Sequence, residues 1–205
     1  MKQNKQASAS RSYRYLARQV ENDLGETENA HEVMVTGPGS VEFLNQTILM
    51  FSYGLKNELG SKVVIIDATF RDKGVGDFLG FRDEPGLMNL LYEDTTKMGQ
   101  MIKPTKVEGI HVLPAGRLEQ KKFESLKGEK VKAILKKLGT AYDYIVIQVG
   151  PLQNDTRYIS LAEYAELVVL LVEEGKTLLG EIEEYRTTLE NHNISNYQIV
   201  MSQKG

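Results

Sequence analysis

Val33-Met34-Val35-Thr36-Gly37-Pro38-Gly39-Ser40-Val41-Glu42-Phe43-Leu44-Asn45-Gln46-Thr47 sets an apolar run, a glycine turn and the start of a helical stripe in immediate succession. Val41, Leu44, Ile48, Phe51, Leu55 and Leu59 continue that stripe at intervals of three and four, an apolar face along one helix. The same alternation recurs outward from this stretch. Val63–Ile66, Ile110–Leu113, Tyr144–Val149, Leu167–Val172 and Ile199–Met201 are short apolar runs that are near-continuous rather than alternating. Such runs read as strands covered on both faces, as in a parallel sheet. Helical stripes lie between them, at Val131, Ile134, Leu135 and Leu138 and at Leu178, Ile182, Tyr185 and Leu189. Gly60 and Gly139 follow the last stripe residues of two helices and are candidate C′ positions. Strands alternating with helices imply right-handed crossovers, hence an α/β fold with a doubly wound, mainly parallel sheet and helices on both faces. One domain is expected over residues 1–205, with a basic N-terminal arm and helix over 1–30 and the α/β core over 31–205.

The 205 residues carry a net charge of -3, which gives no global sign of a nucleic-acid partner. The absence of cysteine removes disulfides, thiolate zinc sites and thiol nucleophiles together. His31, His111 and His192 are scattered, so no metal centre is expected. No apolar run approaches the ~20 residues of a membrane span, and residues 1–10 lack the apolar centre of a signal peptide. The expected location is cytoplasmic.

The charge is uneven. Lys2, Lys5, Arg11, Arg14 and Arg18 stand in residues 1–20 without an acid, whereas 163–190 is strongly acidic. Tyr13, Leu16 and Val20 form a short apolar stripe in the basic segment. Two readings follow: the helix covers its own domain, or Arg14 and Arg18 form bidentate pairs with carboxylates of a partner. Glu173, Glu174, Glu181 and Glu183 of a neighbouring copy are then the candidate receptor.

Ligands of doubly wound sheets bind beyond the carboxyl ends of the strands, so the residues just after each apolar run carry the information. A phosphate-binding loop reads G-x-x-x-x-G-K-[ST], its lysine reaching the β- and γ-phosphates. Gly37 and Gly39 make the turn, with Gly39 as first glycine; Leu44, Asn45 and Gln46 follow, and Thr47 is the nearest hydroxyl. The lysine is missing even when the motif is slid by one residue. Glu42 places a carboxylate in the first helical turn, where it satisfies the helix dipole and repels a triphosphate. Leu44 belongs to the apolar stripe and cannot follow a glycine's path at positive φ. Two other readings stand beside this one. Gly37-Pro38-Gly39 with Asp67 outlines a partial dinucleotide fingerprint, lacking its third glycine at Glu42, and the turn also works with no ligand at all.

The rest of the chain resembles one family. Val63-Val64-Ile65-Ile66-Asp67-Ala68-Thr69-Phe70-Arg71 is similar to the Asp-Ala-Asp-x-Arg motif of bacterial tyrosine autokinases. Gly86-Leu87-Met88-Asn89-Leu90-Leu91 resembles that family's G-L-x-x-x-L step, and Leu113-Pro114-Ala115-Gly116 its L-P-A-G turn. Tyr142-Asp143-Tyr144 opens the strand that in the family ends at the Walker B aspartate, and Tyr13-Arg14-Tyr15-Leu16 resembles the arginine-bearing helix through which those kinase domains form rings. The resemblance covers about residues 10–202. It is to the cytoplasmic kinase domain of capsule and exopolysaccharide co-polymerases, inside the P-loop NTPase class that includes MinD and ParA.

The departures fall on the chemistry. The resemblance puts Asn45 at the P-loop lysine, Thr69 at the second acid beside Asp67, Gln148 at the Walker B aspartate and Ser202 at the asparagine that touches adenine. Arg11 and Ala17 stand where the ring motif has glutamate and a second arginine. The sequence ends at Gly205, and the tyrosine-rich tail that accepts phosphate is expected to be lacking. A neutral amide at Gln148 cannot supply the anionic charge that Mg²⁺ chemistry uses. The expectation is a pseudo-kinase without a cofactor, an accessory scaffold of polysaccharide biosynthesis and export. It would dock on a membrane co-polymerase or related envelope protein, alone or as a homo- or hetero-oligomer, and reach the membrane through that partner. Two alternatives remain open: an ATP-binding kinase or ATPase using a displaced lysine, Lys73 or Lys56, with Mg²⁺, and a MinD- or ParA-like positioning scaffold.

Overall fold

The computed structural model describes residues 2–70, 73–93, 97–116 and 126–202, with side chains described from Ser12 onward apart from Thr156. Its strands are β1 (His31–Thr36), β2 (Val63–Asp67), β3 (Lys103–Pro104), β4 (Ile110–Leu113), β5 (Tyr144–Gln148), β6 (Leu167–Glu173) and β7 (Tyr197–Ser202). They form a seven-stranded sheet in the order β3-β4-β2-β5-β1-β6-β7. Every pairing is parallel except that of the short edge strand β3 with β4. The helices are α1 (Lys2–Leu24), α2 (Val41–Leu59), α3 (Val75–Phe78), α4 (Leu87–Tyr92), α5 (Met98–Met101), α6 (Gly128–Leu138), α7 (Thr156–Ala162) and α8 (Leu179–Asn191).

All six apolar runs are strands, and the sheet divides the core in two. Val33, Val35, Ile65, Val146 and Val169 face α1 and α2, while Met34, Ile66, Ile147 and Leu170 face α4, α6, α7 and α8. α2 starts where its sequence caps it: the Ser40 hydroxyl accepts from the Phe43 N–H at 3.2 Å. It ends at Gly60 in the left-handed region at φ 71°, as a C′ glycine should. Gly139 differs. It stays right-handed at φ -60°, and the chain tightens into further turns as the N–H groups of Ala141 and Tyr142 both reach the Leu138 carbonyl. Leu178 differs too: it caps α8 from outside and is exposed, so only Ile182, Tyr185 and Leu189 of that stripe face inward.

α1 packs on α2 with Tyr13, Leu16, Ala17 and Val20 buried. The helices touch backbone to backbone at Gly54, where a Cβ would lie 2.5 Å from the Tyr13 carbonyl oxygen. Among the described residues, no helix is long and apolar enough to cross a membrane.

Candidate functional site

The parallel register brings Val35, Asp67 and Gln148 into one row at the carboxyl end of the three central strands. Around that row the chain closes on itself. A P-loop unit places its helix after the G-K-[ST] step, but here α2 already begins at Val41 and leaves residues 37–40 as the whole turn. The Leu44 N–H is committed to the Ser40 carbonyl at 3.0 Å. The backbone over residues 41–44 is thus already helical. Gly37 is needed for a separate reason: a Cβ there would lie 2.1 Å from the Leu171 carbonyl of β6.

Asn45 and Gln148, 103 residues apart, meet as buried amides. Gln148 Nε2 donates to Asn45 Oδ1 at 2.5 Å, and Gln148 Oε1 accepts from the Val75 N–H at 2.7 Å. Asn45 Nδ2 donates in turn to the Lys73 carbonyl at 3.0 Å. Asp67 completes the closure. Its Oδ1 accepts from the Thr69 N–H and hydroxyl, and its Oδ2 accepts from the Gly76 N–H at 2.8 Å. Burial holds the Asp67 carboxyl above the usual carboxylate range, outweighing the three donors, which act the other way. The segment 73–76 therefore lies across the strand ends as a strap fixed by Asn45, Asp67 and Gln148. Gly74 allows it, since a Cβ there would meet both Asp67 oxygens and the Thr69 hydroxyl at 2.1–2.3 Å.

The other sequence-chosen residues separate. Gln46 and Glu42 lie on the first turns of α2 and bond to one another at 3.1 Å, with Gln46 exposed. Thr47 is buried, 3.4 Å from the Tyr13 hydroxyl, which also shares a hydrogen bond of 2.8 Å with Ser202. Tyr13 of α1 thus ties Thr47 to the end of β7. Arg71 lies outside the described residues. Lys73 is exposed beside the turn, but Lys56 sits in the last turn of α2, against Gly109 where β4 begins, at the opposite end of the sheet. The displaced-lysine reading therefore loses Lys56. The dinucleotide reading loses its ribose acid, because both Asp67 oxygens face the chain's own donors.

The two family-like steps after the strap dock on each other. The N–H groups of Leu87 and Met88 donate to the carbonyls of Pro114 and Ala115 at 2.8 Å. Gly86 packs where a Cβ would be 1.8 Å from the Pro114 carbonyl oxygen. Arg14 and Arg18 both reach Glu58 of α2 in the same chain, at 3.2 and 2.7 Å, with the Arg18 side chain still 65% exposed. Of the acids considered as their receptor, Glu173 is buried at the end of β6 and pairs with Lys176 at 2.6 Å, so it is not presented to a neighbour.

Sequence reasoning passed over Thr69 as a donor, the strap residues 73–76 and the Tyr13 hydroxyl. One signal was available for the strap: Gly74 and Gly76, set close together soon after an acid that ends an apolar run, mark a close backbone approach. It also passed over Asp155, which caps α7 and pairs with Arg157, whose guanidinium lies 5.0 Å from the Phe70 ring centre.

No family model matches the chain. CapB of Staphylococcus aureus, named as a putative tyrosine-protein kinase, is 29% identical over 132 residues, 64% of this chain and 58% of CapB. The tyrosine-protein kinase ptk of Acinetobacter johnsonii is 25% identical over 122 residues, 60% of this chain. The chain's homologues are bacterial tyrosine-kinase domains. The matched part spans only 16% of ptk's length. Among solved structures, the kinase domain of the Escherichia coli tyrosine kinase ETK superposes with a TM-score of 0.80 at 16% identity, covering 95% of this chain and 75% of that one. MinD of Aquifex aeolicus superposes at 0.62 with 20% identity, covering 86% and 70%. The fold is that of the P-loop NTPases in the form these kinase domains share with MinD and ParA.

Proposed function

We propose that this chain is a pseudo-kinase: a non-catalytic relative of the bacterial tyrosine kinases that keeps their fold as a binding platform in exopolysaccharide or capsule biosynthesis and export. The observation that carries the reading is the amide pair. Two neutral side chains, Asn45 and Gln148, which the family resemblance assigns to a phosphate-binding lysine and a metal-binding aspartate, satisfy each other and the strap. Mg²⁺-ATP does not fit this arrangement. The turn over 37–40 leaves no loop to wrap a triphosphate, Glu42 adds negative charge at the helix start, and Asp67 is spent on backbone and Thr69 donors. The platform would work on the cytoplasmic side, docking on a membrane co-polymerase or related envelope protein and reaching the membrane through it.

A nucleotide titration tests this reading. A ligand present at 100 times its Kd stabilises a fold by about 2.7 kcal/mol, which for a domain of this length is roughly 5–10 °C in Tm. Millimolar ATP, ADP or GTP with Mg²⁺ is expected to leave the melting curve in place. A clear rise with ATP would instead favour the second reading, nucleotide bound through the exposed Lys73 beside the turn.

A further inference from the structure

Among the described residues, the sheet edge opposite β3 is β7, paired with β6 on one side only. β7 reads Tyr197-Gln198-Ile199-Val200-Met201-Ser202, with no charge, proline or glycine among its residues. Edge strands are ordinarily blunted by such residues, because their unpaired N–H and C=O groups template pairing with another chain. The hydrogen bonding shows which groups face out. The carbonyls of Asn196 and Ser202 accept from the N–H groups of Val168 and Glu174, so the even-numbered residues aim their backbone at β6. Ile199 and Met201, alternate to these, turn theirs outward. The same two residues carry exposed apolar side chains, 43% and 66% accessible, and Val200 points to the opposite face, packed against the α2-side core.

From this geometry we infer that β7 pairs with β7 of a second copy, antiparallel about a two-fold axis at Val200. That axis sets Ile199 opposite Met201 of the copy, twice over. Both residues present outward backbone groups, so each pair is the kind that exchanges two N–H···O=C bonds. Val200 then faces its own counterpart, and Gln198 faces Ser202. Apolar residues meet apolar ones and polar meet polar, as an isologous interface requires. Any register that opposes odd to even residues would aim outward backbone groups at a strand face that has none.

The flanks support a copy of the same chain as the occupant. α1 runs along β7 on one face, with Tyr13 at Ser202 and Asp23 at Gln198; α8 runs along the other, with Glu190 at Tyr197. Joining the edges therefore brings α1 toward α1 and α8 toward α8. Contacts between those helices would add to the area of a strand pairing about 20 Å long, and a stable interface needs roughly 800 Å² per partner.

Sedimentation velocity over a concentration series, with the full chain, tests the pairing and its register. The wild type is expected to sediment as a dimer. Ile199→Lys opposes a buried charge to Met201 of the copy and is expected to give the monomer. Ile199→Lys with Met201→Glu opposes lysine to glutamate at both pairs and is expected to restore the dimer, whereas Ile199→Lys with Met201→Lys is not. Unchanged circular dichroism and a cooperative melt confirm that the variants fold. A wild type that stays monomeric throughout, a dimer that survives Ile199→Lys, or a lysine–glutamate variant that stays monomeric would each overturn the proposal.

Discussion

Gln148→Glu changes one functional group at the centre of the closed strand ends and leaves the shape of the side chain almost intact. In the native arrangement Nε2 donates to Asn45 Oδ1 and Oε1 accepts from the Val75 N–H. An ionised carboxylate at this position keeps the second bond and turns the first into oxygen facing oxygen. Asn45 cannot turn its amide round to help, because Oδ1 would then face the Lys73 carbonyl. The new carboxylate is also buried in register with Asp67, whose own carboxyl is already raised by burial. The protonated acid, by contrast, donates to Asn45 and accepts from Val75 as glutamine does. Its folded pKa should therefore lie above the unfolded value of about 4.3. A pKa raised by about 2 to 3 is within reach of a fully buried carboxyl and corresponds to roughly 3–4 kcal/mol. The sign is set by which state holds the proton more tightly. The folded state does, so the variant matches wild type below about pH 4. It loses stability as pH rises from there to the folded pKa and keeps the full deficit above it. Near pH 7 the gap should be roughly 6–16 °C in Tm, set against a whole-domain stability of about 5–15 kcal/mol. Paired thermal melts of variant and wild type across that pH range measure it. Equal melting temperatures at pH 7, or a gap that does not change with pH, would refute the amide pair as the core of the closure.

Three further outcomes follow from the same geometry. Gly74→Ala drives a methyl group into Asp67 and Thr69; overpacking of this kind costs about 1–3 kcal/mol, and hydrogen exchange should show the N–H groups of Val75 and Gly76 losing protection while β6 keeps its own. Asn45→Lys alone is expected to give no Mg²⁺-dependent tyrosine autophosphorylation, because α2 still starts at Val41 and Gln148 still carries no charge; phosphate incorporation from labelled ATP would contradict it. Arg14→Glu with Arg18→Glu breaks two partly exposed pairs with Glu58, each worth about 0–1 kcal/mol, so the domain should stay folded; a salt-sensitive loss of binding to the cytoplasmic part of a membrane co-polymerase would assign the arginines to an interface, and unchanged binding would leave them to the packing of α1.

The architecture was legible in the order of residues alone. Strands buried on both faces have no polar side to alternate with, so β1, β2, β4, β5 and β6 read as continuous apolar runs, and the stripe from Val41 to Leu59 could only be a helix with one buried face. The resemblance also singled out Asn45, Asp67 and Gln148, which the structure gathers at the carboxyl end of the sheet. Strand order and register were decided by the whole sheet, and with them what those residues do. Asn45 and Gln148 touch across 103 residues, and Tyr13 and Ser202 across 189. Neither pair has a local signature, since a side-chain amide or hydroxyl bonds to whatever the packing brings within about 3 Å. The outward-facing groups of β7 were hidden for the same reason, and the strap over 73–76 left only Gly74 and Gly76 as its trace. Helix periodicity and strand hydrophobicity are properties of neighbours in sequence, whereas which donors a buried carboxylate captures, and which edge of a sheet is left open, exist only once distant segments have met.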